Sequence, residues 1–168
     1  MGIKRLEIAG FKSIDGIELT DLPNYCVFAG ANGAGKSNFF DALRFASAVI
    51  DVGAVKAIRQ FQGYERIHCV KRRKDKARTF CFKCDIGLKK TSIDYLLDVY
   101  QMDRDPVLVE QLTVGSPTKS KKLFIRDRDG TVRLNDEEQV RFSTGYSMIT
   151  RGGGGPGLTH HIGEIGVS

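Results

Sequence analysis

Residues 30–37 read GANGAGKS and satisfy the spacing G-x-x-x-x-G-K-[ST], with Gly30 first and Gly35, Lys36 and Ser37 last. Glycines let a backbone turn with positive φ, so that consecutive N–H groups face one anion. A helix starting at Lys36 would add the positive end of its dipole. Lys36 is then a point charge for the β and γ phosphates of a nucleotide, and the Ser37 hydroxyl is a hard oxygen ligand suited to Mg²⁺. The phosphate-binding candidates are Gly30, Asn32, Gly33, Ala34, Gly35, Lys36, Ser37 and Asn38. With Gly at about 7% of average usage, four fixed positions of this kind arise by chance in roughly one window per tens of thousands, so ATP and Mg²⁺ are the expected ligands.

Such a loop works only between a strand and a helix. YCVFA, Tyr25–Ala29, is a short apolar run bounded by Pro23 and Gly30, as expected of a buried central strand. KSNFFDALRFASAVI from Lys36 places Phe39, Phe40, Leu43, Ala46, Val49 and Ile50 at helical spacing, and AVKAIRQF after Gly53 predicts a weaker helix ending at Gly63. Upstream, IKRLEIAGFKSI and GIELTDL alternate in polarity, which predicts an antiparallel pair turning at Asp15-Gly16. From Thr79 the segments TFCFKCDIGL, SIDYLLDVYQM, PVLVEQLTVG, KKLFIRD and TVRLN predict a β meander, with turns at Lys89-Lys90, Asp105-Pro106, Gly115 to Pro117 and Asp129-Gly130. The expected fold class is α/β: a P-loop NTPase lobe over 1–150 with the meander beside a strand-loop-helix core. The stretch 151–168 is expected to be a glycine-rich loop or disordered tail.

The chain of 168 residues carries a net charge of +6, and KRRKDKAR accounts for nearly all of the excess. Lys71, Arg72, Arg73, Lys74, Lys76 and Arg78 in that run are candidates for nucleic-acid phosphates, against the plainer reading of a solvated hairpin tip. No apolar stretch is long enough to span a bilayer, and MGIKRLEIAG lacks the apolar run of a signal peptide, so a cytoplasmic location without membrane attachment is expected. Cys26, Cys69, Cys81 and Cys84 are too few for a disulfide scaffold. Cys81 and Cys84 are three apart in a predicted strand and point to opposite faces, which argues against a zinc site. His160, His161 and Glu164 lie in the glycine-rich tail and read as solvated residues.

IKRLEIAGFKSI followed by FAGANGAGKSNFFDALRFA resembles the amino-terminal lobe of the SMC and RecF-like branch of ABC-type ATPases, including stand-alone predicted AAA-family ATPases. Gly10, Phe11, Lys12 and Ser13 match the G-F-[KR]-S strand end of that branch, and Ser37, Asn38, Asp41, Ala42, Leu43 and Phe45 match the run after its glycine loop. The resemblance implies ATP and Mg²⁺ binding, a head-to-head homodimer, and work on DNA in repair, chromosome maintenance or phage defence. It also implies a glutamine touching Mg²⁺, for which Gln111 is the candidate, with Gln60, Gln62 and Gln101 as rivals. An apolar strand ending in Asp-Glu and a signature segment, both needed for hydrolysis in this branch, are absent from the sequence. YLLD ends at Asp98 but continues with Val99, Asp136-Glu137-Glu138 sits in a turn-like setting, and RFSTGYS lacks the helix and strand that follow a signature. The chain therefore reads as the front part of a longer ATPase, whether a truncated product, a split gene or one piece of an assembly, with the missing carboxyl-terminal lobe as its partner. The alternative is a nucleotide-gated binding or scaffold module without ATP turnover. A metabolite kinase shares the loop, but the GFKS strand before it argues against that reading.

Overall fold

A computed structural model describes residues 2–72, 74, 78–116, 119–135, 138–141, 145 and 147–149. The chain opens with an antiparallel hairpin, β1 (Gly2–Phe11) and β2 (Ile14–Leu22). It then crosses one face of the sheet as α1 (Lys36–Val52), α2 (Ala54–Gln60) and α3 (Tyr64–Ile67), with a single 3₁₀ turn at Val70–Arg72. The return strand β3 (Phe80–Gly87) pairs with the free side of β1. The meander continues through β4 (Ser92–Tyr100), β5 (Val107–Ser116), β6 (Lys119–Arg126), β7 (Thr131–Leu134) and β8 (Glu138–Arg141). The result is one eight-stranded antiparallel sheet in the order β2-β1-β3-β4-β5-β6-β7-β8, so the expected α/β class and meander are both present.

Alternation along the strands decides which face is covered. Leu6 and Ile8 of β1, Phe80 of β3, Leu97 and Val99 of β4, Leu108 of β5 and Phe124 of β6 are buried in one core with Phe39, Phe45, Ala46 and Val49 of α1. Ala42, Ala54 and Ala57 are fully buried, and their small side chains let the helices lie close to the sheet. The opposite face is polar near β1: Arg5 pairs with Glu7 and with Glu18 at 2.9 Å, and Lys83 reaches Glu7 at 3.1 Å. Such cross-strand pairs suit a sheet with one solvated face.

Farther along, Glu110 and Arg126 are both fully buried and ion-paired at 3.4 Å. The Glu110 carboxylate also accepts from Tyr95 Oη at 2.8 Å, Ser147 Oγ at 2.6 Å and the Met148 N–H at 2.9 Å. Those bonds hold residues 147–149 against the sheet, and Gly145 accepts from the Ala54 N–H at 2.9 Å, tying the same segment to α2. Burial raises the Tyr95 hydroxyl pKa and lowers that of Arg126, so the network is stable only as a complete set.

Three local expectations are corrected. Tyr25–Ala29 is not a strand: it is exposed, irregular chain, and none of the eight strands lies beside it. Backbone N–H and C=O groups need a ladder partner to form a strand, and apolar composition alone does not supply one. The first turn lies at Lys12-Ser13 instead of Asp15-Gly16, because Phe11 pairs with Ile14 and Ala9 with Gly16. Lys12 takes the left-handed φ of 49° that this tight reversal demands. Finally, Glu138 begins a strand where the sequence suggested a loop; Asp136, Glu137 and the tail with His160, His161 and Glu164 lie outside the described residues.

Gly10 is fixed by two independent constraints. Its φ is 78°, and a Cβ placed there would lie 2.1 Å from the Thr79 carbonyl oxygen. Gly10→Ala is expected to lower stability by about 2–4 kcal/mol, seen as a fall in the urea midpoint at unchanged slope. Removing one partner of the buried pair, as in Arg126→Met, is expected to cost about 3–5 kcal/mol in the same measurement.

Candidate functional site

The glycine loop and the start of α1 are held by the β1–β2 corner. Asn38 Nδ2 donates to Ser13 Oγ at 2.8 Å, and Lys12 Nζ donates to Asp41 Oδ2 at 2.6 Å. The Phe11 ring lies 5.5 Å from that of Phe45 and 5.8 Å from that of Phe80. The Lys12 N–H also bonds the Ile67 carbonyl at 2.8 Å, which fastens α3 to the corner. Residues 10–13, 38, 41 and 45, which carried the family resemblance, therefore form one contact surface.

Within the loop, Gly33 and Gly35 are left-handed at φ 83° and 92°. The Ala34 N–H turns back to the Ala31 carbonyl at 3.2 Å, and the Phe39 N–H bonds the Gly35 carbonyl at 3.0 Å as α1 begins. Gly35 caps α1 without a side-chain acceptor, and its first turn has no acidic residue. The leading amides of a 17-residue helix are thus left for an external anion. Lys36 Nζ lies 2.6 Å from the Gly30 carbonyl oxygen and 2.7 Å from that of Ala31, so the loop wraps its own ammonium. Ser37 and Asn32 are exposed beside it. These donors fit a polyphosphate, and the Ser37 hydroxyl fits a hard divalent cation.

The segment before the loop packs through one residue. Phe28 stacks on Phe39 at 4.7 Å and meets Phe40 edge-on at 5.5 Å, while Tyr25 and Val27 are 82% and 73% exposed. An apolar surface is thus displayed next to the glycine loop.

Other candidate residues are dispersed. Gln111 lies on β5 opposite Leu96 of β4, on the sheet face away from α1, and donates to Thr113 Oγ1 at 3.2 Å. Gln60 ends α2, and Gln62 and Gln101 occupy left-handed turn positions. The structure does not gather these four glutamines at Ser37. In the basic run, Arg72 is held by Asp15 at 2.6 Å and Arg78 faces Asp103 at 3.9 Å, while Lys71 and Lys74 are exposed. Arg73 and Lys76 lie outside the described residues. Glu110 was not singled out by sequence pattern, because a carboxylate at an inward strand position gives no periodic signal of its own.

No cluster of three potential metal ligands occurs among the described residues. Burial pushes the Cys81 thiol up to about 12, with the Asp98 carboxylate next to it adding repulsion. Burial also raises Cys84, which lies on the other face. Neither environment favours the thiolate that zinc requires.

A family model described as "AAA domain, putative AbiEii toxin, Type IV TA system" matches residues 26–144, more than half of the chain, and the chain belongs to this family. Two curated relatives are each named chromosome partition protein Smc. The one from Synechococcus sp. is 43% identical over 58 residues and the one from Synechocystis sp. 40% identical over 58 residues. Each match covers 34% of this chain and 5% of the relative's length. Together the family and the partial Smc similarity identify an SMC/RecF-like AAA ATPase lobe.

The Cys81 environment gives a pH signature. An unfolded thiol loses its proton near pH 9, whereas the folded one keeps it to about 12. Between these values the native state binds more protons than the unfolded state, so stability is complete below pH 9 and falls as pH rises towards 12. Cys81→Ala is expected to flatten part of that fall in urea titrations at pH 8, 9, 10 and 11. At pH 8, iodoacetamide is expected to label exposed Cys26 well before Cys81.

Proposed function

We propose that this chain is the ATP- and Mg²⁺-binding lobe of an SMC/RecF-like ATPase that acts on DNA, in repair, chromosome maintenance or phage defence. Its hydrolytic carboxylate and signature segment are supplied by a further lobe. The observation that carries this reading is the corner-clamped loop, with left-handed Gly33 and Gly35, Lys36 at its centre and the uncapped start of α1. Backbone amides of Gly33 and of residues 35–38, with the Lys36 ammonium, hold the phosphates, and Ser37 supplies an oxygen to Mg²⁺. When bound, the cation neutralises phosphate charge.

Tyr25–Ala29 is read as the docking strand for the further lobe, since it is apolar, extended in composition and without a strand beside it. Pairing there would bring a catalytic carboxylate next to the loop, and a head-to-head dimer would complete the site with a signature segment in trans. A cytoplasmic setting accords with this reading, and no helix among the described residues is long and apolar enough to cross a membrane. A scaffold without turnover is the second reading. It is favoured by one fact: among the described residues no apolar strand ends in Asp-Glu.

Calorimetric titration of the chain with Mg·ATP is expected to show binding that Lys36→Ala weakens by about 10- to 100-fold, the loss of a charge-assisted contact. Phosphate release by the chain alone is expected to stay at background. The missing groups position water and stabilise developing charge, and comparable losses in P-loop enzymes cost on the order of 10³ to 10⁵ in rate. Turnover near 1 per second that Lys36→Ala abolishes would overturn the assignment of catalysis to a further lobe.

A further inference from the structure

We propose that Gly145 and residues 147–149 form a releasable strap, locked onto the sheet by the Glu110 carboxylate and opening as one unit while the sheet stays folded. The lock is built from both sides. Glu110 Oε1 accepts from Tyr95 Oη of β4 at 2.8 Å and from Ser147 Oγ of the strap at 2.6 Å. Glu110 Oε2 accepts from Arg126 Nη1 of β6 at 3.4 Å and from the Met148 N–H of the strap at 2.9 Å. Each oxygen thus takes a donor from the sheet and another from the strap.

That division makes two states available. With the strap away, Tyr95 and Arg126 still hold the two oxygens, so opening leaves no bare carboxylate in the interior, the outcome that makes most buried charges immovable. The Ser147 hydroxyl and the Met148 N–H pass to water, which exchanges one set of hydrogen bonds for another. Closing gains burial of the Met148 side chain, 4% exposed, and bonds to a charged acceptor. It costs the backbone freedom of the segment it orders. Gain and cost are of the same order, which is the condition for local opening. The Ile149 N–H donates to Ser147 Oγ at 3.1 Å, so the strap carries its own turn and moves as a piece.

The strap also reaches the helices. Gly145 accepts at 2.9 Å from the N–H of Ala54, the first residue of α2. It sits between α2 and the start of β5, since a Cβ added there would lie 3.9 Å from Val55 Cγ2 and 3.9 Å from the Pro106 carbonyl oxygen. One opening therefore breaks a contact to β5 and a contact to α2 together. Release leaves α2 held by the packing of Ala54, Ala57 and Ile58 and by Gly53, whose φ of 84° forms the joint with α1. Closed, the strap fixes that joint to the β5 side of the sheet. Its residues take no part in the proposed nucleotide site.

The test is amide hydrogen exchange of the full chain, followed residue by residue by NMR in rising low concentrations of urea. The Met148 and Ala54 amides, bonded to Glu110 and Gly145, are expected to share one opening equilibrium with almost no urea dependence. Leu97, paired on both sides in the middle of the sheet, reports global unfolding and is expected to exchange far more slowly, with a steep urea dependence. Ser147→Ala removes a hydrogen bond to a charged acceptor and is expected to speed both strap amides by about 10- to 100-fold. Met148→Ala is expected to speed them in the same direction through lost burial. Ile8→Val, in the core on β1, is expected to speed Leu97 by about 2- to 10-fold and to leave Met148 and Ala54 unchanged. Exchange of Met148 with the protection and urea dependence of Leu97 would place the strap in the global unit and overturn the proposal. So would unequal opening of Met148 and Ala54, or a Ser147→Ala chain in which neither amide changes.

Discussion

The docking of the β1–β2 corner onto the first turns of α1 is the constraint on which the glycine loop depends. A glycine-rich loop is costly to order because each residue has so many backbone states to lose. Here its downstream end is located by Ser13 on Asn38, Lys12 on Asp41 and Phe11 on Phe45. Lys12 and Asp41 are each about one quarter exposed, so their pair is worth more than a fully solvated bridge and avoids the full cost of burial. The aromatic contacts add about 0.5–1.5 kcal/mol each beyond area burial. Gly10 makes the corner possible, since only a residue without Cβ can pass so close to Thr79.

Legibility in the sequence followed from how local the cause of each feature was. The meander, α1 and the left-handed turns at Gly33 and Gly35 were readable because alternation, helical spacing and glycine placement act within a few residues. The GFKS corner was visible as a resemblance, and the structure supplies its reason in contacts that span 25 to 34 positions of chain. Tyr25–Ala29 misled because a buried strand and an apolar segment awaiting a partner have the same composition. Glu110 was silent for the opposite reason: its acceptors are used by groups from β4, β6 and residues 147–148, none of them near it in sequence. The misplaced first turn shows the same limit, because Asp15-Gly16 carries a turn signal that the pairing of Ala9 with Gly16 overrides.

Charge is arranged along the sheet as well as across it. The face away from the helices carries neutralised pairs near β1, and the interior carries the buried pair of Glu110 and Arg126. The glycine loop, with its backbone donors and the Lys36 ammonium, lies at the end of β1 marked by Phe11 and Ser13.

The glycine loop is held unequally on its two sides. The corner fixes it from the α1 side, but upstream the chain runs through Tyr25, Val27 and Phe28, which display apolar surface and lack a ladder. Ordering that segment lowers the conformational freedom of the loop it leads into, so any partner strand that pairs with it removes part of the entropy a nucleotide must otherwise overcome. On the proposed function, linkage would work in both directions: nucleotide bound at Gly30 to Ser37 would pre-order the segment for a partner strand by the same factor. Phe28 is the physical connection, since its ring rests on Phe39 and Phe40 near the start of α1, where the helix amides lack a side-chain cap.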